Sequence, residues 1–242
     1  MVCFARYQAH GQTSYGIVED DVVTEINGSP LEGYDATSHS HSISEVKLLS
    51  PVVPNKIVAI GLNYRSHLGD SEPPTVPEPF YKTPTSVIGP GESIVIPRSA
   101  IDQGVTIQPE AELSLVIGRK CKKASQTDAP SYVLGYTCGN DVSARNWQRN
   151  DLQWWRAKSC DTFAPLGPYI VTDLDPGNLL LKCRINGKVV QEQYTSDLLH
   201  GIPRIIEFVS SVVTLEPGDV IMTGTPGKPG DIHDGDTVEV EL

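Results

Sequence analysis

No apolar run approaches the roughly 18 residues needed to cross a bilayer, and Met1 to Gln12 do not run basic, then apolar, then small as a secretory leader does. Neither membrane insertion nor export is expected, so the chain reads as cytoplasmic. Cationic residues are also in deficit: 19 Lys and Arg face 30 Asp and Glu, a formal net charge of −11. Such a surface repels the phosphates of nucleic acid and of anionic lipid, which both need clustered Lys and Arg. An anionic substrate would need a local positive site, such as a metal ion. The five cysteines, Cys3, Cys121, Cys138, Cys160 and Cys183, show no C-x-x-C spacing. That argues against zinc and against a redox pair and predicts reduced, mostly buried thiols. No solenoid repeat is visible, and helical periodicity is scarce.

What remains is a chain of 242 residues with 39% apolar content, enough for one large domain or for a main domain with a small appendage. Short β-signals open it at Val2–Tyr7, Tyr15–Glu19 and Val22–Ile26, the last two joined at Asp20 and Asp21 as a hairpin. Asp35 to Ser44 turns polar and small, and Pro51 and Pro54 stiffen the approach to an apolar segment, Lys56 to Leu62. A boundary near residue 50 follows, with a small N-terminal β-rich domain (1–50) and a main domain (51–242). Strand-length runs then recur at Ser93–Pro97, Leu113–Gly118, Tyr132–Cys138, Tyr169–Thr172 and Leu179–Ile185, and Gly-Asp turns precede apolar strands at Val220 and Val238. Two helices are predicted: Val142 to Gln153, about three turns, and Ile202 to Val213, with Ile205, Ile206, Val209 and Val213 on one face. The fold class is α+β and β-dominated.

In Pro109-Glu110-Ala111-Glu112-Leu113-Ser114-Leu115-Val116-Ile117, strand alternation sends Ala111, Leu113, Leu115 and Ile117 to one face and Glu110, Glu112 and Ser114 to the other. Two acids on one face repel unless water or a cation lies between them, and a hard oxygen set suits Mg²⁺ or Ca²⁺. A strand face turned to water explains the pair more simply, since antiparallel sheets commonly expose one side. A third acid, Asp141, follows the strand ending at Cys138 and shifts that balance. If a helix starts there, Arg145 and Gln148 share its face, although an N-cap Asp with a surface ion pair reads as well.

These residues resemble the fumarylacetoacetate hydrolase family. The resemblance rests on Glu110-x-Glu112 before Val116-Ile117-Gly118 and on Asn140-Asp141-Val142-Ser143-Ala144-Arg145. It rests equally on Lys158-Ser159-x-Asp161-Thr162-Phe163-x-Pro165-Leu166-Gly167-Pro168 and on Gly218-Asp219-Val220-Ile221-x-Thr223-Gly224-Thr225-Pro226. It implies a β-roll with a few helices, a homodimer, and Mg²⁺ or Mn²⁺ held by Glu110, Glu112 and Asp141. The implied reaction is C–C hydrolysis of acylpyruvate or fumarylpyruvate-type β-diketo acids through a metal-bound enolate. Oxaloacetate decarboxylation or tautomerisation is the alternative, and a non-catalytic member that keeps the fold is a third reading.

The same resemblance implies roles for further residues. Arg145 would bind the small anionic keto acid, with Lys158 beside it as a catalytic cation. From their own chemistry Gln148 could hold a substrate carbonyl and Thr225 donate to an anion, although both read equally as turn or helix residues with local bonds. His67, within Asn63-Tyr64-Arg65-Ser66-His67-Leu68-Gly69-Asp70, would activate water, oriented by Asp70. The second acid of this dyad is commonly Glu in the family, and Asp70 is one methylene shorter. Gly69 to Pro79, rich in Pro and acids, is the candidate lid.

Overall fold

The computed structural model describes residues 1–242. In chain order its main strands are Cys3–Ala9 (β1), Gln12–Glu19 (β2), Val22–Ser29 (β3), Gly33–Ser42 (β4), Ile57–Gly61 (β5), Glu78–Lys82 (β6), Ala111–Ile117 (β7), Val133–Asn140 (β8), Ala164–Val171 (β9), Leu180–Ile185 (β10), Lys188–Tyr194 (β11), Val220–Met222 (β12) and Val238–Glu241 (β13). The helices are Arg98–Asp102 (α1), Arg145–Asn150 (α2), Trp155–Lys158 (α3) and Ile202–Val212 (α4). This is the expected β-dominated α+β architecture.

The N-terminal strands form an antiparallel meander. Asp20 sits at φ 53° between β2 and β3, a left-handed turn position that Asp tolerates. The polar stretch after residue 33, read from sequence as the approach to a boundary, is instead β4. It lies at the sheet edge with both faces largely exposed, so the backbone ladder to β3 holds it and no apolar alternation is needed. β1 pairs with β9, which makes the sheet continuous in the order β4-β3-β2-β1-β9-β8-β7-β12-β5-β6. The division near residue 50 stands as a proposal about chain organisation, since one sheet runs across it.

Two other expectations give way. Ser93–Pro97 forms no strand: the Val95 N–H bonds the Thr162 hydroxyl at 2.7 Å, and Pro97 has no N–H to offer. The helix expected from Val142 begins only at Arg145. Ahead of it the backbone is already committed to extended partners, Asp141 N–H to Glu110 O (2.9 Å), Val142 N–H to Phe163 O (3.1 Å), and Ser143–Ala144 to Ile107–Gln108. Asp151 is extended and ends α2, so α3 is a separate turn.

The sheet and α4 together position β7. Leu113, Leu115 and Ile117 pack against Ile202, Ile205, Ile206 and Val209 of α4 in the largest apolar cluster. Each such side chain contributes roughly 1.5–3 kcal/mol on burial. The opposite face of β7 is also covered, with Val116 packed against Ile57, Ala59 and Met222. Every residue of β7 is therefore buried, and the water-facing reading of Glu112 fails.

Candidate metal centre

Antiparallel pairing of β7 with β8 sets Ala111 opposite Asn140 and Glu112 opposite Gly139. The ladder extends one step beyond both strands, because Asp141 N–H donates to Glu110 O (2.9 Å) and Glu110 N–H donates to Asn140 Oδ1 (2.9 Å). Two acids at i and i+2 and a third across the ladder thus converge, with ligand oxygens of Glu110, Glu112 and Asp141 all within 4.8 Å of one another and all three residues buried. Continuing past β12, Gly224 N–H donates to Glu112 Oε2 at 2.7 Å. Gly224 lies at φ 110°, and a Cβ there would meet Asn63 Cβ at 2.7 Å, so only glycine brings this N–H to the carboxylate.

Three cations answer the three acids. Lys158 Nζ lies 2.6 Å from Glu110 Oε2 and 2.6 Å from Asp141 Oδ2. Arg145 Nη2 bonds Glu110 Oε1, while its other nitrogens hold Gln108 (2.5 Å) and Gln148 (2.6 Å). Lys82, at the end of β6 and with its side chain 0% exposed, donates to Asp141 Oδ1 at 2.5 Å and to the Lys158 carbonyl. Sequence reasoning misses Lys82. A lone lysine at a strand end ordinarily reads as a solvated charge, and only its place two residues after Phe80, with its side chain on the same face of β6, hints at burial.

These groups set each other's protonation. Burial pushes the Glu110 carboxyl up, but the Lys158 and Arg145 cations, with a further contribution from His67, outweigh it and hold that acid below the usual carboxylate range. Glu112 moves the other way: burial raises it, and the neighbouring Asp141 and Glu110 carboxylates raise it further. Burial works against the Lys158 ammonium, yet Asp141 and Glu110 keep it above the ordinary lysine value. For Lys82 burial prevails over Asp141 and lowers the value. Glu112, raised in this way and bonded by the protein only through Gly224 N–H, has oxygen lone pairs to offer a cation. Together with Glu110 and Asp141 it makes a hard, all-oxygen donor set of the kind that would hold a divalent cation such as Mg²⁺ or Mn²⁺.

His67 reaches the same cavity from the turn after β5. Its Nδ1 is 2.6 Å from Gly227 O, and a carbonyl only accepts, so Nδ1 carries a hydrogen and Nε2 is the nitrogen left facing the acids. Nε2 lies 3.8 Å from Glu110 Oε1, beyond hydrogen-bond reach. The sequence expectation that Asp70 orients this ring is not met. Gly69, at φ 60°, turns the chain away, and Asp70 is exposed with no hydrogen bond to His67; the orienting partner is the Gly227 carbonyl. Gln148 and Thr225 line the cavity. The Thr225 hydroxyl is engaged, donating to Ala111 O (2.8 Å) and accepting from Gln191 Nε2 (2.8 Å). Gly69–Pro79 does not line the cavity; its wall is built by Ile60, Gly61, Leu62 and Trp154. The partly open space of about 20 Å³ has room for about one ion or water.

None of the five cysteines is in a disulfide, and none lines this cavity. No helix is long and apolar enough to cross a membrane.

Residues 56–242 match the family described as fumarylacetoacetate (FAA) hydrolase C-terminal, and residues 4–51 match that described as Rv2993c-like, N-terminal. The human mitochondrial oxaloacetate tautomerase FAHD2A is 42% identical over 214 residues, covering 82% of this chain and 67% of that protein. Among solved structures, 5-carboxymethyl-2-hydroxymuconate delta-isomerase from Mycobacterium smegmatis matches with a TM-score of 0.91 at 44% identity, covering 99% of this chain and 94% of that one. Maleylpyruvate hydrolase from Sphingobium sp. SYK-6, in complex with manganese (II) ion and pyruvate, matches with a TM-score of 0.82 at 28% identity, covering 100% and 94%. With the family match spanning most of its length and the acid and lysine motifs in one buried site, the chain belongs to the fumarylacetoacetate hydrolase family.

Proposed function

We propose that this protein is an enzyme that interconverts the enol and keto forms of a small, doubly negative 2-oxo acid of the oxaloacetate type, with Mg²⁺ or Mn²⁺ held by Glu110, Glu112 and Asp141. The observation that carries this reading is the charge balance of the buried site. Glu110 and Asp141 pair with Lys82, Arg145 and Lys158, and Glu112 beside them brings the acids to three, so acids and cations match in number and their charges cancel. A divalent cation then leaves two positive charges in a site largely closed to water, which a dianionic acid neutralises. In a chain of net charge −11, this is a local field of the sign such a substrate needs.

When bound, the cation would draw electron density from the substrate carboxylate and the adjacent carbonyl oxygen. The chain's own groups do the rest. Lys158 offers an ammonium to the substrate's anionic oxygens. Gln148, its carbonyl held by Arg145, turns its amide N–H groups to a substrate oxygen. His67 Nε2, unpaired within the cavity, moves the proton between the enol oxygen and the neighbouring carbon. Likeness to an oxaloacetate tautomerase and to a muconate isomerase supports proton transfer as the reaction class.

C–C hydrolysis of acylpyruvate or fumarylpyruvate-type acids is the second reading. It is favoured by the same free Nε2, able to activate water, and by likeness to maleylpyruvate hydrolase. A panel of oxaloacetate, acetylpyruvate and fumarylpyruvate, each with Mg²⁺ and with EDTA, separates the readings. Loss of enol absorbance without cleavage is expected for oxaloacetate, with EDTA abolishing it. Cleavage of the diketo acids at a higher kcat/KM would reverse the order, and oxaloacetate turnover insensitive to EDTA would sink both. A homodimer is part of this proposal, and its mass in solution by light scattering checks it.

A further inference from the structure

The carboxylates and cations account for one end of a 2-oxo acid, but they say nothing of its length. We infer that Trp154, seated on the bare backbone of Gly61, sets the size of the group a substrate can carry beyond its keto-acid end. This rests on the proposed keto-acid reading and deepens it.

Trp154 caps the single-turn helix α3, and its carbonyl accepts the Lys158 N–H at 3.0 Å. Residues four apart on a helical turn project to one side. The turn that drives Lys158 Nζ between Glu110 and Asp141 therefore also brings the Trp154 indole to the cavity wall. Two contacts fix the ring. It meets Phe80 of β6 edge-on, with centroids 5.3 Å apart and the ring planes at 75°. Its far edge lies against Gly61, where an added Cβ would come within 2.7 Å of Cζ3 and 3.2 Å of Cη2. No side chain other than hydrogen fits at residue 61 with the indole in place. Phe80 in turn lies under the Lys158 ammonium, 5.2 Å from Nζ to ring centroid.

The consequence is a cavity with two unlike sides. Acids and a lysine line one, while Trp154, Ile60, Gly61 and Leu62 form the other. The space beside the acids is about 20 Å³ and partly open, so the distal group of any keto acid bound there extends past this wall, along the indole that rests on Gly61. A short distal group makes little contact with the indole, whereas each further methylene presses against the ring that Phe80 and Gly61 hold in place. In an apolar pocket one methylene discriminates by roughly 10- to 200-fold.

The test uses one reaction across one homologous series: enol-to-keto conversion of oxaloacetate, acetylpyruvate and longer straight-chain acylpyruvates by the Mg²⁺-loaded full chain. Trp154→Ala is expected to raise the ratio of kcat/KM for a long-chain acylpyruvate over oxaloacetate by at least about 10-fold, with Trp154→Phe between it and wild type. An unchanged ratio, with both substrates falling together, would overturn the inference and leave Trp154 as packing for α3. Trp154→Phe keeps an aromatic ring against Phe80, so it serves if the alanine variant does not fold. Calorimetric binding of 2-oxobutanoate and 2-oxooctanoate in the presence of Mg²⁺ makes the same comparison without turnover. A wild type that binds these acids but converts no enol sinks the tautomerase reading alone. In that case a rise in the affinity ratio for the longer acid in Trp154→Ala upholds the size filter, and a constant ratio removes it.

Discussion

Replacing Lys158 by Met tests the balance of charge on which the proposed site depends. The ammonium lies 2.6 Å from both Glu110 and Asp141, within a site whose side chains are almost wholly closed to solvent. Removing one partner of a buried ion pair costs about 3–5 kcal/mol, because the remaining charge is left desolvated and unanswered. For a chain of this size each kcal/mol moves the melting temperature by about 2–4 °C, so in EDTA the variant should melt about 6 to 20 °C below wild type. Methionine nearly preserves the side-chain volume, which confines the perturbation to charge. A divalent cation on the same oxygens restores the missing positive charge. Mg²⁺ should therefore bind the variant at least as tightly as wild type and raise its melting temperature more. At a hundredfold excess over Kd the recovery is about 2.7 kcal/mol, or about 5 to 11 °C. Scanning calorimetry in EDTA and over a Mg²⁺ titration measures both quantities, and steady-state kinetics should show the substrate KM rising. Equal melting temperatures in EDTA, or a variant that no longer binds Mg²⁺, would refute the reasoning.

Glu112→Gln should lose Mg²⁺ binding by calorimetry, and the same variant carries a pH signature. The Glu112 carboxyl is raised in the fold by burial and by the Asp141 and Glu110 carboxylates, so the folded chain holds a proton that the unfolded chain has released. Its contribution to metal-free stability is complete below the ordinary Glu range and is lost as pH rises through the folded value; the Glu112→Gln variant should show a flatter slope in denaturant titrations across pH. His67→Ala should lower enol–keto conversion by about 10² to 10⁴, and far more than it lowers oxaloacetate decarboxylation, which needs no base; equal losses would remove His67 as the proton carrier. Asp70→Ala should change kcat/KM by no more than about twofold, since surface substitutions away from the site act weakly. A hundredfold loss there would reinstate Asp70 as the partner of His67.

Local pattern carries the acids. Alternation along β7 puts Glu110 and Glu112 on one face, and the apolar run before Asn140 brings Asp141 level with them once β7 and β8 pair. The helix α4 is equally legible, since Ile205, Ile206 and Val209 recur at helical spacing. Residues whose role depends on a distant partner are not. Asp70 lies three positions from His67 and reads as its neighbour, yet the Gly69 turn separates them and Gly227, 160 residues away, holds the ring. Lys82 meets Asp141 across 59 residues of sequence, and no local spacing encodes that contact. The start of α2 escapes the sequence for a related reason: Asp141 to Ala144 have sequence neighbours that allow a helix, but their backbone groups are claimed by Glu110, Phe163 and the Ile107–Gln108 strand.

The sequence by itself determined the fold class, the family and which acids share a strand face, because side-chain periodicity and motif order are local properties written along the chain. Tertiary structure decided that Glu112 is buried, that Lys82 completes the charge balance, that the Gly227 carbonyl orients His67, and that Trp154 closes the wall over Gly61. Each of these is a contact between segments far apart in sequence. Only the sheet that joins β5, β6, β7 and β8 brings those segments within the few ångströms over which hydrogen bonds and ion pairs act.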